Sequence, residues 1–213
     1  MKLFDAHCHL QDPRILSKAP NLIKTAQDSG VVHFVVNGVS EQDWHLVKDL
    51  AQNYPSIIPS FGLHPWSLSP FILIQFIIYS FNFVKKLTYL KVLGLMKLQV
   101  PSDRILLETD APDALPMSNI DSLFFVEGDT SLPKELHDQI TSSSTSTSLS
   151  NSSQVVIDAS MLSKETLNHP ANIRSVLDYV ASMLEITKEE LAELSYQNTV
   201  RLFSYEGSKL LQK

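Results

Sequence analysis

Two histidines separated by one residue, His7 and His9 in the stretch FDAHCHLQD, are the first residues of this sequence that could do chemistry. Alternation along a β-strand turns residues i and i+2 to the same face, so both imidazoles can reach one divalent cation. Asp5 falls on the same face, and we expect it to support the ligands from behind. A lone His-x-His pair is weak evidence, because such pairs also occur as ordinary surface or core histidines.

A pair of carboxylates later in the chain could complete such a site. In the stretch ILLETDAPD, the run Ile105–Leu107 has the length of a buried strand, with Glu108 and Asp110 on one face at its carboxyl end. If this strand is the last of a closed barrel, it lies beside the first strand and brings Asp110 next to the histidines. The two carboxylates could instead cap a helix or lie in a solvated turn before Pro112.

The segments between these residues alternate between strand and helix patterns. After the histidine strand, apolar residues recur at helical spacing between Pro20 and Gly30, and VVHFVV then predicts a short buried strand. We expect Ser40 to cap a second helix that runs through Ala51, and SIIPSFGLHP to contain a third strand. Strands and helices alternating in units of about 30 residues predict a parallel sheet or a barrel.

Composition and charge limit the possible function classes. With 213 residues, 44% of them hydrophobic and 19% charged, one globular domain is the expected organisation. The net charge of −6 gives no general attraction to nucleic acid, so contact with a polyanion needs a local basic patch or a bridging cation. The single cysteine, Cys8, excludes an internal disulfide, and the first residues lack a secretory signal pattern. We therefore expect an intracellular location, cytoplasmic or nuclear.

Residues 67–99 break the pattern. Their first part, SLSPFILIQFIIYSFNFV, carries no charge and has neither a strand period nor a helix period. Its length approaches that of a membrane span, but Pro70 and Gln75 dilute it. Because Phe, Ile, Tyr, Asn and Lys dominate residues 71–91 and have AT-rich codons, we favour translated non-coding sequence over a membrane segment.

The last third of the chain combines a low-complexity tract with helices. Ser or Thr fills eleven of the thirteen positions 141–153, which indicates a disordered insertion. Thr187 and Glu190 form a predicted capping box that opens the final helix. The predicted organisation is N-terminal βα units at 1–66, an atypical apolar segment at 67–99, a late strand at 100–116, a disordered insertion at 117–165 and C-terminal helices at 166–213.

Four motifs follow one another along the chain: FDAHCHL, FGLHPW, RILLETDAPD and YQNTVRLF. In these motifs and their order, the chain resembles the TatD family of metal-dependent deoxyribonucleases. The resemblance covers about 1–66, 100–116 and 168–205. It implies a TIM-like (β/α)8 barrel of the metal-dependent hydrolase type, which hydrolyses DNA phosphodiesters with a metal-activated water. DNA is then the expected substrate, and no protein partner is predicted.

The resemblance also implies roles for individual residues. His7, His9 and Asp110 are the implied ligands of a divalent cation, whether Mg, Mn or Zn, and Asp110 is also the implied catalytic residue. His64 is implied to lie near the substrate phosphate. Asp5 and Glu108 are expected to support the ligands.

The chain departs from the family pattern in its middle. The family's metal centre also uses a glutamate and two later histidines, and the sequence contains none of these motifs. About 40 residues separate the third strand from the last, where four further βα units need about 120. We expect the remaining four histidines to be structural or solvated rather than ligands: His33, His45, His137 and His169.

Three interpretations remain open. The first is a TatD-type nuclease, inactive in this shortened form. The second is a related amidohydrolase or phosphoesterase that acts on a small substrate. The third is a non-catalytic truncated isoform or a membrane-associated fragment, and we do not favour membrane association.

Overall fold

A three-stranded parallel sheet forms the first half of the structure. The computed structural model describes residues 1–64, 100–116, 122–128 and 166–211. Two helices cross over between the strands, and the strand order is β1-β2-β3. The elements are β1 (Leu3–Cys8), α1 (Ala19–Asp28), β2 (Val31–Gly38), α2 (Trp44–Asn53) and β3 (Ile57–Phe61). This confirms an α/β chain with a parallel sheet; the described residues do not form a complete barrel.

The sheet is apolar on both faces. Phe34 and Val36 of β2 pack in the main core, which also contains the buried residues of α1 and α2. Val35 points to the opposite face, because successive side chains of a strand alternate. There it joins Phe4 and Ile58 in a smaller cluster. Burial on both faces is typical of parallel strands.

Two helices and a small antiparallel pair follow. The pair consists of β4 (Phe125–Glu127) and β5 (Thr166–Asn168), and the helices are α3 (Ile173–Leu184) and α4 (Lys188–Phe203). The predicted capping box is confirmed: Glu190 N–H donates to the hydroxyl of Thr187, and Thr187 N–H donates to the carboxylate of Glu190. Tyr196, Val200 and Phe203 of α4 pack against the smaller cluster.

The segment 105–111 lies along the free side of β1. Ala6 N–H donates to the carbonyl of Leu107 at 2.9 Å, and Asp110 N–H donates to the carbonyl of His7 at 3.0 Å. His9 N–H donates to the carbonyl of Ala111 at 2.7 Å. The late segment is therefore the neighbour of β1, as the sequence predicts, and it places Asp110 beside the histidine strand.

The prediction of a strand at Ile105–Leu107 was wrong in one respect, since these residues are not in a strand. One reason lies in the ladder itself: Thr109 N–H donates at 3.0 Å to the side-chain carboxylate of Asp5 instead of to a backbone carbonyl of β1. The regular alternation predicted for β1 is also interrupted. Register shifts occur between Leu3 and Phe4 and between Asp5 and Cys8, as at a β-bulge.

The predicted cap at Ser40 was also wrong. Helix α2 begins at Trp44 with Asp43 as the preceding cap residue. The Asp43 carboxylate instead accepts hydrogen bonds from the backbone N–H groups of Val39 and Ser40. It therefore stabilises the turn before the helix rather than the first turn of the helix.

The structure describes residues 122–128 of the predicted insertion at 117–165. Within it, residues 122–128 contain β4, and Leu123 and Val126 are buried. The expectation of disorder was therefore wrong for this stretch, because its backbone pairs with β5 and the side chain of Val126 joins the core. The Ser/Thr tract at 141–153 and the apolar segment at 67–99 lie outside the described residues.

Candidate metal centre

The histidine pair lies at the carboxyl end of β1. The Nε2 atoms of His7 and His9 are 3.1 Å apart, and the two rings are perpendicular with their centroids 4.8 Å apart. The side chain of His7 is 35% exposed and that of His9 is 12% exposed. Both imidazoles therefore face one point that is open to solvent on the His7 side.

Asp110 completes a cluster of three possible ligands. Its Oδ1 atom lies 3.3 Å from Nε2 of His7 and 3.6 Å from Nε2 of His9. One ligand atom from each of the three residues lies within 4.8 Å of the other two. Asp110 has a φ of +54°, a left-handed conformation that Asp tolerates better than most residues.

The second strand orients His9. Its Nδ1 atom lies 2.7 Å from the carbonyl oxygen of Asn37 at the end of β2. A carbonyl oxygen only accepts, so Nδ1 carries the proton, and in the neutral ring the lone pair of Nε2 faces His7 and Asp110. Gln11 donates to the same carbonyl at 2.7 Å and to Asp43 at 2.9 Å. Metal-ligating histidines are typically oriented through their other ring nitrogen in this way.

The donor set fits a divalent cation. Two imidazole nitrogens and one carboxylate oxygen match a type of three-residue ligand set that protein zinc sites use, with room for water in a further position. Mixed histidine and carboxylate ligands also suit manganese and iron. The cluster fits this use because its three ligand atoms already converge.

The charges of the cluster are coupled. The hydrogen bond with Asp110 raises the pKa of His7, while partial burial works against it. Burial acts to raise the pKa of Asp110, but the hydrogen bond with His7 and the charges of both histidines outweigh it and lower that pKa. A positive charge is therefore favoured at this place, supplied by a proton on His7 or by a cation.

Asp5 holds the late segment against β1. It is fully buried, and its carboxylate accepts from the hydroxyl of Thr109 at 2.6 Å and from Thr109 N–H at 3.0 Å. It also accepts from the backbone N–H of His7 at 3.3 Å. Burial raises its pKa to about 7, although these hydrogen bonds act to lower it. Asp5 thus contacts the backbone of a ligand residue, not its ring.

Glu108 and His64 lie at the margin of the cluster. Glu108 is exposed, and its negative charge contributes to the raised pKa of His7. His64 is positioned by its backbone N–H, which donates to the carbonyl of Val39 at 2.7 Å. Burial lowers the pKa of His64, and the charges of His9 and Asp110 also act on it. Both residues are therefore close enough to interact electrostatically with the predicted ligands.

Two supporting residues were missed by sequence reasoning. Asn168 of β5 donates from its amide to the carbonyl of Thr109 at 2.9 Å and so fixes the residue before Asp110. Arg14 binds the carboxylates of Asp12 and Asp113. These contacts join residues that are far apart along the chain, so the sequence gives little indication of them. The one signal was Asp113, the second aspartate of the DAPD motif, to which no role had been assigned.

The other described histidines stay outside the cluster. The ring of His33 packs against Phe4 with centroids 5.2 Å apart, His45 is exposed on α2, and His169 is buried. Among the described residues, His7, His9 and Asp110 form the one group of this kind that could hold a metal ion. His137 lies outside the described residues.

Helices long and apolar enough to cross a membrane are absent from the described part of the chain. The longest helix there, α4, has 16 residues and carries several charges. The apolar segment at 67–99 lies outside the described residues.

This chain matches one family model and is similar to one curated protein. The family model described as TatD related DNase matches residues 4–91 and 78–204, so the two matches overlap within the segment 67–99. The Cut9-interacting protein scn1 of Schizosaccharomyces pombe is 38% identical over 65 residues, which make up 30% of this chain and 18% of that protein. The matched region therefore spans less than a fifth of this curated relative.

A solved structure has a related fold. The crystal structure of YJJV, a TatD homologue from Escherichia coli, superposes with a TM-score of 0.58 at 14% sequence identity. The superposition covers 95% of this chain and 98% of that chain. At this identity the likeness supports the fold alone.

Proposed function

Because this chain belongs to the TatD related DNase family, a family of metal-dependent hydrolases, we propose that His7, His9 and Asp110 form a divalent-metal site of the TatD type with DNA as the substrate class. The observation that carries this proposal is the convergence of the three ligand atoms, with His9 oriented by Asn37. A bound cation also answers the charge problem, because a chain of net charge −6 needs a local positive charge to approach a polyanion.

The residues of the site have distinct roles in this proposal. A divalent cation supplies Lewis acidity toward a phosphoryl oxygen and lowers the pKa of a bound water. The lowered pKa of Asp110 keeps it available as an anionic ligand of the cation. In this proposal Asp110 would also orient the attacking water or take its proton. His64, at the margin of the cluster, contacts the substrate phosphate, and Asp5 and Glu108 support the ligands.

We further propose that the chain is an incomplete TIM-like barrel whose central strands are missing. Beyond β3 the chain next enters the described structure at residue 100, and residues 107–111 already lie along the side of β1 that β2 does not occupy. The intervening residues are too few for four further βα units of about 30 residues each. The family's additional ligands come from that missing part, so we expect one cation to bind weakly and turnover to be lost.

Calorimetric titration with Mg²⁺, Mn²⁺ and Zn²⁺ tests the site. We expect one weakly bound ion, abolished in His7→Ala, because each lost ligand also removes the support of its neighbours. His45→Ala is the matched control, since His45 is an exposed histidine of α2 outside the cluster. Two tightly bound ions, or equal binding by wild type and His7→Ala, would contradict the proposal. The affinities measured for Mg, Mn and Zn then show which of these cations the site prefers.

A non-catalytic role is the second candidate, favoured by the absence from the sequence of the motifs that carry the family's further ligands. A small-molecule amidohydrolase or phosphoesterase is a third candidate, which a substrate panel separates from the nuclease.

For the cellular location, an intracellular compartment remains our proposal. Cys8 is a buried free thiol, as a reducing compartment allows.

A further inference from the structure

The two chain segments that carry the ligands turn in the same way just after them. Asp12 N–H donates to the carbonyl of His9 at 2.9 Å, and Asp113 N–H donates to the carbonyl of Asp110 at 2.8 Å. In each turn an aspartate therefore follows the ligand by three residues. These two aspartates come from turns that are about 100 residues apart in sequence.

Arg14 joins these two turns. Its Nε and Nη2 atoms donate to the two oxygens of Asp12 at 2.9 and 2.8 Å. Its Nη1 and Nη2 atoms donate to the two oxygens of Asp113, both at 3.0 Å. The Arg14 side chain is only 11% exposed. A planar guanidinium bound to two carboxylates fixes their relative position, which a flexible ammonium group cannot do.

The position of Asp110 depends on such contacts. Segment 105–111 is not a regular strand, and Asp110 has a left-handed backbone conformation. Its hydrogen bond to the carbonyl of His7 fixes one end of the turn, and the bonds from Arg14 to Asp113 fix the other. An error of about 1 Å at a ligand is enough to weaken a metal site.

We propose that Arg14 is a positioning residue that sets the spacing between the histidine pair and Asp110 by binding Asp12 and Asp113. This inference rests on the proposed metal site, because the spacing matters only if the three ligands share a cation. Within the described part of the chain, the side-chain hydrogen bonds of Arg14 go to Asp12 and Asp113 and not to a ligand, so Arg14 acts through the two turns.

Titration with Co²⁺ tests the inference, because the visible absorption of Co²⁺ reports its coordination as well as its affinity. Arg14→Gln removes the charge and the fork, and we expect affinity to fall by about 10- to 100-fold, with a changed absorption spectrum. Arg14→Lys keeps the positive charge but loses the planar guanidinium group, so its Co²⁺ affinity should lie between those of the wild type and Arg14→Gln. The matched control is Lys24→Gln, which removes an exposed ion pair with Asp28 and should leave binding unchanged.

Asp113→Asn guards against misfolding of the Arg14 variants, since Asp113 is 41% exposed and lies at the surface. It should also weaken Co²⁺ binding and change the spectrum, with circular dichroism like that of the wild type. The inference would be overturned, with the proposed site left standing, by two results together. Folded Arg14→Gln or Asp113→Asn would bind Co²⁺ with the affinity and spectrum of the wild type, and His7→Ala would lose binding. Absence of binding by the wild type, or unchanged binding by His7→Ala, would overturn the proposed site and this inference with it.

Discussion

The carboxylate of Asp5 accepts hydrogen bonds from both the backbone N–H and the hydroxyl of Thr109, across 104 residues of sequence. Both residues are buried, and the segment that Thr109 anchors carries Asp110. This pair therefore links the folding of the late segment to the position of a predicted ligand. The sequence places Asp5 on the ligand face of β1, but the partner that it binds there was not predicted.

Thr109→Val should lower the free energy of unfolding by about 1–3 kcal/mol, because it leaves one oxygen of the buried Asp5 carboxylate without its donor. Thr199→Val is the matched control. Thr199 is equally buried, but its hydroxyl bonds only to the carbonyl of Ser195 in its own helix. Urea denaturation measures both changes, and a loss at Thr199 as large as that at Thr109 would count against a special role of the Asp5 contact.

Acid should destabilise the protein through His169. Burial lowers the pKa of His169 to about 4 from its ordinary value of 6.5, and its Nδ1 atom accepts a hydrogen bond from Ala171 N–H at 2.9 Å. Below pH 6.5 the unfolded chain takes up a proton that the folded chain does not bind, so the contribution of His169 to stability falls between about pH 6.5 and pH 4. Asp5, whose pKa is raised to about 7, has the opposite effect, because its protonation on acidification favours the folded chain. The contribution of this group is a few kcal/mol at most, since one pKa unit is about 1.4 kcal/mol.

Between pH 6.5 and pH 4, His169→Asn should lose less stability on acidification than the wild type, because asparagine does not titrate there. The measurement is denaturant unfolding at several pH values, compared with His45→Asn, in which an exposed histidine is replaced. An unchanged slope between pH 6.5 and pH 4 in His169→Asn would show that another group causes the acid sensitivity.

The local part of the fold and one long-range neighbourhood could be predicted from the sequence, whereas other long-range contacts could not. The order of β1, α1, β2, α2 and β3 follows from apolar periodicity, and the pairing of His7 with His9 follows from their spacing of two. The position of Asp110 beside β1 follows from the expectation that the last strand of a closed barrel lies next to the first.

Contacts between distant short segments carry no such signal. β4 and β5 have three residues each, which is too short for a strand periodicity to be recognised in the sequence. The two strands also pair across the low-complexity tract. The double contact of Arg14 likewise depends on Asp113, which is 99 residues away. Such contacts become visible only when the chain has been brought together by the rest of the fold.

The low-complexity tract should be dispensable, whereas β4 should not. Deletion of 141–153 removes residues with little apolar surface, and shortening a long loop costs little, so the melting temperature should stay nearly unchanged. Deletion of 118–151 also removes Leu123 and Val126 from the core, together with the two hydrogen bonds between Phe124 and Asn172. Thermal unfolding should show a clear loss only in the larger deletion, and equal melting temperatures would mean that β4 contributes nothing.

DNA cleavage by these 213 residues should not exceed background, even with manganese or magnesium added. In a closed barrel, several strands place ligands around one point, and here the described residues supply only His7, His9 and Asp110. Losing part of the metal centre removes nucleophile activation and charge neutralisation, which contribute several kcal/mol, and each 1.4 kcal/mol is about a factor of ten in rate. A fluorescent DNA substrate with and without EDTA measures the result.

The matched comparison is a chain in which the ordinary middle strands of the family replace 67–99. It should cleave DNA in an EDTA-sensitive manner, and His7→Ala or Asp110→Ala should abolish that activity because each removes a ligand of the cluster. Cleavage by the present chain that Asp110→Ala abolishes would show instead that further ligands reach the site from residues outside the described structure. In that case the three converging side chains would belong to a working hydrolase, and the proposed loss of turnover would be wrong.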